Sequence, residues 1–250
     1  MEVDCPQFSA VVPIILHQKG KPQEVVGSGV MARILGHGVL LTAAHVIDEE
    51  ESGQLLIPGA TNFVLLVGPR YCSEAPAGDR DRDLMDIGFI RLGTAARIAF
   101  DPRTSPVEGD DIQQDVYSPD KLNGYTFIGY PWRQSKTRGT DVSTKMERFS
   151  GTGLNAIELR RHGLDARKHI AINFHRRKST HGTGQRATAP LPHGLSGGGI
   201  FAWPKAPKGL LTLPSSFPLV GIAHSYFEKE CLLVGTKIEY LVSAIRRSSA

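Results

Sequence analysis

The chain has 250 residues, 40% of them hydrophobic and 22% charged, with a net charge of +4; this ordinary globular balance excludes a disordered polypeptide. A chain of this length buries roughly 70–75% of its unfolded surface, so it needs no metal or disulfide staples to form a core. Twenty-seven Gly and sixteen Pro spread along the whole length favour many short strands over a few long helices, and the class read from composition is all-β.

The chain opens Met1-Glu2-Val3-Asp4, acidic where a secretory leader is basic, and the apolar run at 11–16 is short and interrupted by Pro13. Neither a leader nor a membrane span is expected. Cys5, Cys72 and Cys231 are widely spaced and have no Cys or His partner at zinc-binding distance along the chain. This is the usage of a reducing compartment, and the expected location is the cytoplasm.

Strand-like runs fall into two groups. The first comprises 8–17, 25–35, 39–41, 62–67 and 87–92. The second comprises 125–129, 170–174, 199–203, 219–224 and 232–235. Between them, 101–123 is rich in Pro, Asp, Gly and Gln without apolar period, the composition of a connection. Two domains are expected, 1–112 and 113–250. The alternating charges Asp79-Arg80-Asp81-Arg82-Asp83 read as a solvated loop. Helical spacing is read only at 237–247, where Ile238, Leu241, Val242 and Ile245 share a face and Arg246 and Arg247 suit a helix C-terminus.

Three segments carry chemistry. In Gly194-Leu195-Ser196-Gly197-Gly198-Gly199, a hydroxyl sits between glycines, where main-chain N–H groups can approach a reacting carbonyl; a plain flexible turn fits the same residues. In Thr42-Ala43-Ala44-His45, an apolar strand runs out through small residues into an imidazole suited to take and return a proton, or into a structural histidine. In Asp86-Ile87-Gly88-Phe89, a carboxylate opens an apolar strand, where it needs a dedicated donor such as His45, or else caps the strand.

Taken together in the order His, Asp, Ser, these motifs resemble the chymotrypsin-like (trypsin-like) serine proteases. Phe127-Ile128-Gly129-Tyr130-Pro131, Leu219-Val220-Gly221-Ile222 and the terminal helix extend the resemblance over most of the chain. It implies two packed six-stranded antiparallel β-barrels with a C-terminal helix, and an active site in the crevice between the barrels. Ser196 would be the nucleophile, His45 the general acid and base, and Asp86 the group fixing the histidine's tautomer. The N–H groups of Gly194 and Ser196 would form the oxyanion hole, with no cofactor and no metal.

Extracellular relatives often carry an aspartate before the serine; here that place is Leu195, so activation through an ion pair with a released N-terminus is not expected. The chain looks most like a bacterial intracellular peptidase of this type. Counting back from Ser196 puts Pro190 and Leu191 at the floor of the specificity pocket, with Ala223, His224 and Ser225 on its facing strand. A neutral pocket for apolar side chains is expected. His193 and His224 offer a rival, an acid-accepting pocket like that of glutamyl endopeptidases, and Glu228 and Glu230 could restore a basic preference by folding inward. Main-chain groups of Ser225-Tyr226-Phe227 would pair with the substrate as an added strand. The expected partners are a protein or peptide substrate and an activating partner. Eight Lys and Arg face two acids across 158–186, a solvated surface first and a recruiter of acidic protein second. Nucleic acid is least favoured because no aromatics interleave the charges. The alternative to an active endopeptidase is a latent or silent interaction module on the same fold.

Overall fold

The computed structural model describes residues 5–93, 103–112, 122–132, 135–138, 141–180, 185–205 and 217–248. A 3-10 turn over Pro6–Ala10 precedes β1 (Val11–His17), because Pro6 cannot donate to a ladder and presets the φ of a helical turn. There follow β2 (Glu24–Ile34), β3 (His37–Thr42), α1 (Ala44–Asp48), β4 (Gln54–Pro58), β5 (Phe63–Leu65), β6 (Arg70–Cys72), β7 (Gly88–Arg91) and β8 (Val107–Glu108). Seven strands lie antiparallel in the order β5-β4-β1-β2-β3-β7-β6, and the two-residue β8 adds to β2 in parallel. Residues 66–69 join the outer strands β5 and β6: the buried Leu66 donates its N–H to the Leu55 carbonyl of β4 at 2.9 Å, and the Pro69 carbonyl accepts the Arg91 N–H of β7 at 3.0 Å. This curls the sheet on itself around Ile14, Leu40, Leu55 and Ile90.

The second unit holds β9 (Leu122–Gly129), the hairpin β10 (Lys136–Arg138) and β11 (Asp141–Ser143), β12 (Glu147–Gly151), α2 (Ala156–Arg161) and β13 (His169–Asn173). It continues with the short pair β14 (Ser179–Thr180) and β15 (Arg186–Ala187), then β16 (Gly199–Pro204), β17 (Leu219–Phe227), β18 (Leu232–Lys237) and α3 (Ile238–Arg247). Six strands order as β12-β9-β16-β17-β18-β13. Just past β12, Gly153 bridges Ile172 of β13, and Leu154 N–H donates to the Ala171 carbonyl at 2.9 Å, closing the barrel. Phe127, Ile172, Ile200 and Leu233 fill its interior.

A third cluster seals the two barrels together. Val30, Leu41 and Phe89 of the first meet Ile128, Phe201 and Ile222 of the second, and the apolar face of α3 lies on both through Ile238, Leu241, Val242 and Ile245. Each such side chain contributes about 1.5–3 kcal/mol when fully buried, so the inter-barrel seam is as much core as either barrel. The all-β class, the double barrel and the terminal helix with its stated face agree with the sequence reading.

Several local expectations change. Phe8 lies in the 3-10 turn, not in a strand, and the first barrel carries seven antiparallel strands instead of six. Strands β4, β6, β8, β10, β11, β12, β14 and β15 and helices α1 and α2 had no counterpart in the sequence reading. The charged run at 79–83 is not simply solvated: Asp83 is buried, and Arg80 ties it to Asp48 at 2.6 and 2.7 Å respectively. Within the segment read as a connection, β8 pairs with β2 and Ile112 bridges Leu219, while 113–121 lie outside the described residues. Among the described residues, no helix is long and apolar enough to cross a membrane, and no group of His, Cys, Asp or Glu is arranged to hold a metal ion.

Candidate active site

Strand β3 leads directly to His45. Ala43 and Ala44 are fully buried after it, and only side chains this small let the chain turn from the sheet into α1 at that depth. Thr42 fixes the turn by donating its hydroxyl to the Ser28 carbonyl on β2 at 2.7 Å.

Asp86 sits in the loop before β7 with φ +38°, a left-handed conformation uncommon for a side chain with a Cβ. Its carboxylate meets His45 twice: Oδ2 lies 2.5 Å from Nδ1, and Oδ1 accepts the His45 main-chain N–H at 3.0 Å. Burial pushes the Asp86 carboxyl up. The His45 hydrogen bond, the charge of His45 and His224, and the main-chain donor outweigh that and hold it below the ordinary 3.8. Since Asp86 is ionised and occupies Nδ1, the other ring nitrogen of His45 is the one left to exchange a proton.

The loop is pinned residue by residue. Asp83 Oδ1 accepts Met85 N–H at 3.0 Å, Ser73 Oγ accepts Ile87 N–H at 3.0 Å, and Ser73 N–H donates to the Ile87 carbonyl at 2.7 Å. Arg80 bridges Asp83 to Asp48, three residues beyond His45, so one guanidinium braces both the helix bearing the imidazole and the loop bearing the carboxylate.

Ser196 lies in the tight turn between Pro192 and Gly199. Gly194 and Gly197 have φ +92° and +84°, and a Cβ on Gly197 would stand 1.9 Å from the Ser28 carbonyl oxygen. Only glycine fits there. Leu195 is buried in the second-barrel core, with its N–H on the Pro192 carbonyl at 2.9 Å. An apolar anchor thus occupies the place where an ion pair was not expected. Ser28 of the first barrel organises the turn, donating its N–H to the Ser196 carbonyl at 2.7 Å and its hydroxyl to the Gly194 carbonyl at 2.9 Å. That side-chain oxygen also accepts Tyr130 N–H at 2.8 Å. Among the described residues, the main-chain N–H groups of Gly194 and Ser196 have no hydrogen-bond partner.

Ser196 and His45 line one cavity of about 320 Å³, together with Gly194, His193, Ala223, His224 and Ser225. Val26, Trp132, Pro192, Leu195, Tyr226 and Leu233 complete its wall. The Ser196 hydroxyl donates to the main-chain carbonyl of His224 at 3.0 Å and makes no hydrogen bond with His45. Pro190 and Leu191, assigned to the pocket floor by counting along the chain, are not among the residues that line this cavity, whose wall takes up the chain from Pro192. Glu228 and Glu230 are exposed in the β17–β18 turn and also lie outside it.

His224 is buried, and burial pushes its imidazole down to about 4. Its Nδ1 is 2.8 Å from Ser225 Oγ and its Nε2 3.2 Å from Thr236 Oγ1. A neutral ring with both nitrogens engaged has nothing to offer an acidic side chain. His193 is exposed at the cavity mouth. In the basic segment, Arg167 pairs with Asp165 at 3.0 Å and Arg176 donates to the Ala189 carbonyl at 2.9 Å, while 181–184 lie outside the described residues.

No family model and no curated protein matches the chain. Solved structures do. Neuropsin, a serine protease expressed in the limbic system of mouse brain, superposes with a TM-score of 0.60 over 98% of this chain and 96% of its own, at 13% identity. At that identity the likeness establishes the trypsin-like protease fold.

Proposed function

We propose that the protein is a serine endopeptidase that hydrolyses peptide bonds through Ser196, His45 and Asp86. The observation that carries the reading is that His45, hydrogen-bonded twice by Asp86, faces the same cavity as Ser196, whose turn presents two N–H groups with no partner among the described residues. The protease fold agrees with it. In this reading the chain divides into 1–112, with His45 and Asp86, and 113–250, with Ser196.

In this mechanism the Ser196 hydroxyl rotates from the His224 carbonyl toward His45, whose free ring nitrogen takes its proton as Oγ attacks the substrate carbonyl. Asp86 holds the imidazole in the required tautomer and stabilises its charged form. The N–H groups of Gly194 and Ser196 receive the oxyanion, each contributing about 3–4 kcal/mol to the transition state. His45 then gives the proton to the leaving amine. Water, deprotonated by His45, cleaves the acyl-enzyme and regenerates the Ser196 hydroxyl.

Among the described residues, no carboxylate lines the cavity, and Val26, Pro192, Ala223 and Leu233 share its wall with three histidines and two serines; the lack of a carboxylate supports a preference for neutral side chains. The unpaired Cys5, Cys72 and Cys231 suit a reducing, cytoplasmic setting. A second reading, a latent module on the protease fold, draws support from the resting Ser196–His224 bond. Hydrolysis of a peptide library with apolar residues before the scissile bond, lost in Ser196→Ala, tests the first reading; no turnover by the intact chain favours the second.

A further inference from the structure

The residues just ahead of Asp86 are held from the opposite barrel. His169, at the start of β13 and 3% exposed, lies with Nε2 2.9 Å from the Leu84 carbonyl. A carbonyl only accepts, so Nε2 carries the proton, and Nδ1 accepts Asp165 N–H at 3.0 Å. Thr236 of β18 is fully buried and donates its hydroxyl to the Met85 carbonyl at 2.7 Å. With that proton committed, the Thr236 oxygen is an acceptor toward His224 Nε2, which fixes the tautomer: Nε2–H donates to Thr236 and Nδ1 accepts from Ser225 Oγ. A directed chain therefore runs from Ser225, in the cavity wall, through His224 and Thr236 to the peptide bond from which Asp86 hangs.

That peptide bond decides where the carboxylate points. The φ of +38° at Asp86 is strained for a non-glycine residue, and such a conformation persists only where its surroundings over-determine it. It is also what lets one carboxylate reach both the N–H and Nδ1 of His45. A valine would fill the Thr236 site on the strand equally well; a hydroxyl there must be satisfied, and its partner is the Met85 carbonyl.

We infer that Thr236 is a positioning residue for Asp86: its hydroxyl, oriented by His224, holds the Met85–Asp86 peptide so that the carboxylate faces His45. The inference rests on the hydrolase reading of the site and deepens it, coupling the substrate-facing Ser225 to the carboxylate through side chains of the second barrel. His169 supports the same loop one residue earlier.

The test compares wild type, Thr236→Val and Thr236→Ser as full chains. Two quantities are read: the rate at which a fluorophosphonate modifies Ser196 as a function of pH, and the low-field proton resonance of His45 Nδ1–H. Thr236→Val is expected to slow modification by about tenfold or more. It should also move the acid limb to lower pH, because a displaced carboxylate stabilises the charged imidazole less, and shift the resonance. Thr236→Ser restores all three. A valine variant with wild-type rate, acid limb and resonance overturns the inference. Should it fail to fold, Ser225→Ala, which cuts the chain at its solvent end, is expected to move the acid limb the same way, and an unmoved limb is equally decisive against it. If wild type itself is not modified at Ser196, the hydrolase reading fails and the resonance alone decides: moved by Thr236→Val it supports the positioning role, unmoved it overturns it.

Discussion

Asp86 grips His45 with both carboxylate oxygens, Oδ2 2.5 Å from Nδ1 and Oδ1 on the main-chain N–H at 3.0 Å. The second bond makes the contact a fixed geometry instead of a rotatable one, since the ring is held relative to its own backbone. Asp86→Asn keeps the shape but presents an amide donor or a neutral acceptor to Nδ1, allowing the wrong tautomer. Activity against peptide or ester substrate is expected to fall on the order of 10⁴-fold with the fold intact. A loss below tenfold, measured as kcat/KM beside an unchanged melting curve, contradicts the role.

Leu195 replaces charge with burial. Leu195→Ala removes a buried side chain from the core that holds the serine turn, and should destabilise the protein by about 2–5 kcal/mol in denaturant unfolding. Leu195→Asp should do worse, because the described second-barrel core around it is apolar and offers a carboxylate no partner. Wild-type stability in either variant means the turn is not anchored there.

Gly197→Ala puts a Cβ 1.9 Å from the Ser28 carbonyl oxygen and 2.1 Å from Thr42 Oγ1, at a φ of +84°. The turn must shift to admit it. Expected are the loss of Ser196 reactivity and a lowered melting temperature, whereas Gly163→Ala, at φ +73° with no atom within 4 Å of the added Cβ, should cost only its own backbone strain. Equal effects at the two positions would rule out the close packing of Ser28 against the serine turn.

Stability should begin to fall on acidification at pH values above the range in which ordinary carboxylates titrate. His224 titrates near 6.5 unfolded and about 4 folded, so between those values the unfolded chain binds more protons and unfolding gains with each step down in pH. The loss from this residue approaches about 3 kcal/mol by pH 4. His169, pushed down by burial, acts in the same direction. Asp86, held below 3.8, stabilises above that value and is lost only at still lower pH. Urea midpoints at pH 7, 5.5 and 4 measure this; a midpoint flat from pH 7 to 5 contradicts buried neutral histidines.

What the sequence made legible was what repeats locally. The apolar runs of β1, β2, β16, β17 and β18 are long enough to stand out, and the face of α3 follows directly from its spacing. Strand β4 was hidden because its apolar core, Leu55 to Ile57, is short and lies between an acidic stretch and Pro58. Helix α2 escaped because it spans less than two turns, although Asn155 and Glu158 form a capping box that marks its start. Within the site, His45, Asp86 and Ser196 were readable from their flanking residues. Ser28, Thr236 and Arg80 were not, since their roles exist only through contacts between segments far apart in the chain. Pro190 and Leu191 rest on counting along a loop, and the cavity that His45 and Ser196 share is lined from Pro192 onward.

The central claim is that Ser196 is an activated nucleophile. Exposure of the intact protein to a fluorophosphonate probe, wild type beside Ser196→Ala and His45→Ala, followed by mass spectrometry of the modified peptide, tests it most directly. The expected result is modification confined to Ser196 in wild type and absent from both variants. Unmodified wild type, or modification that persists without His45, would contradict the claim.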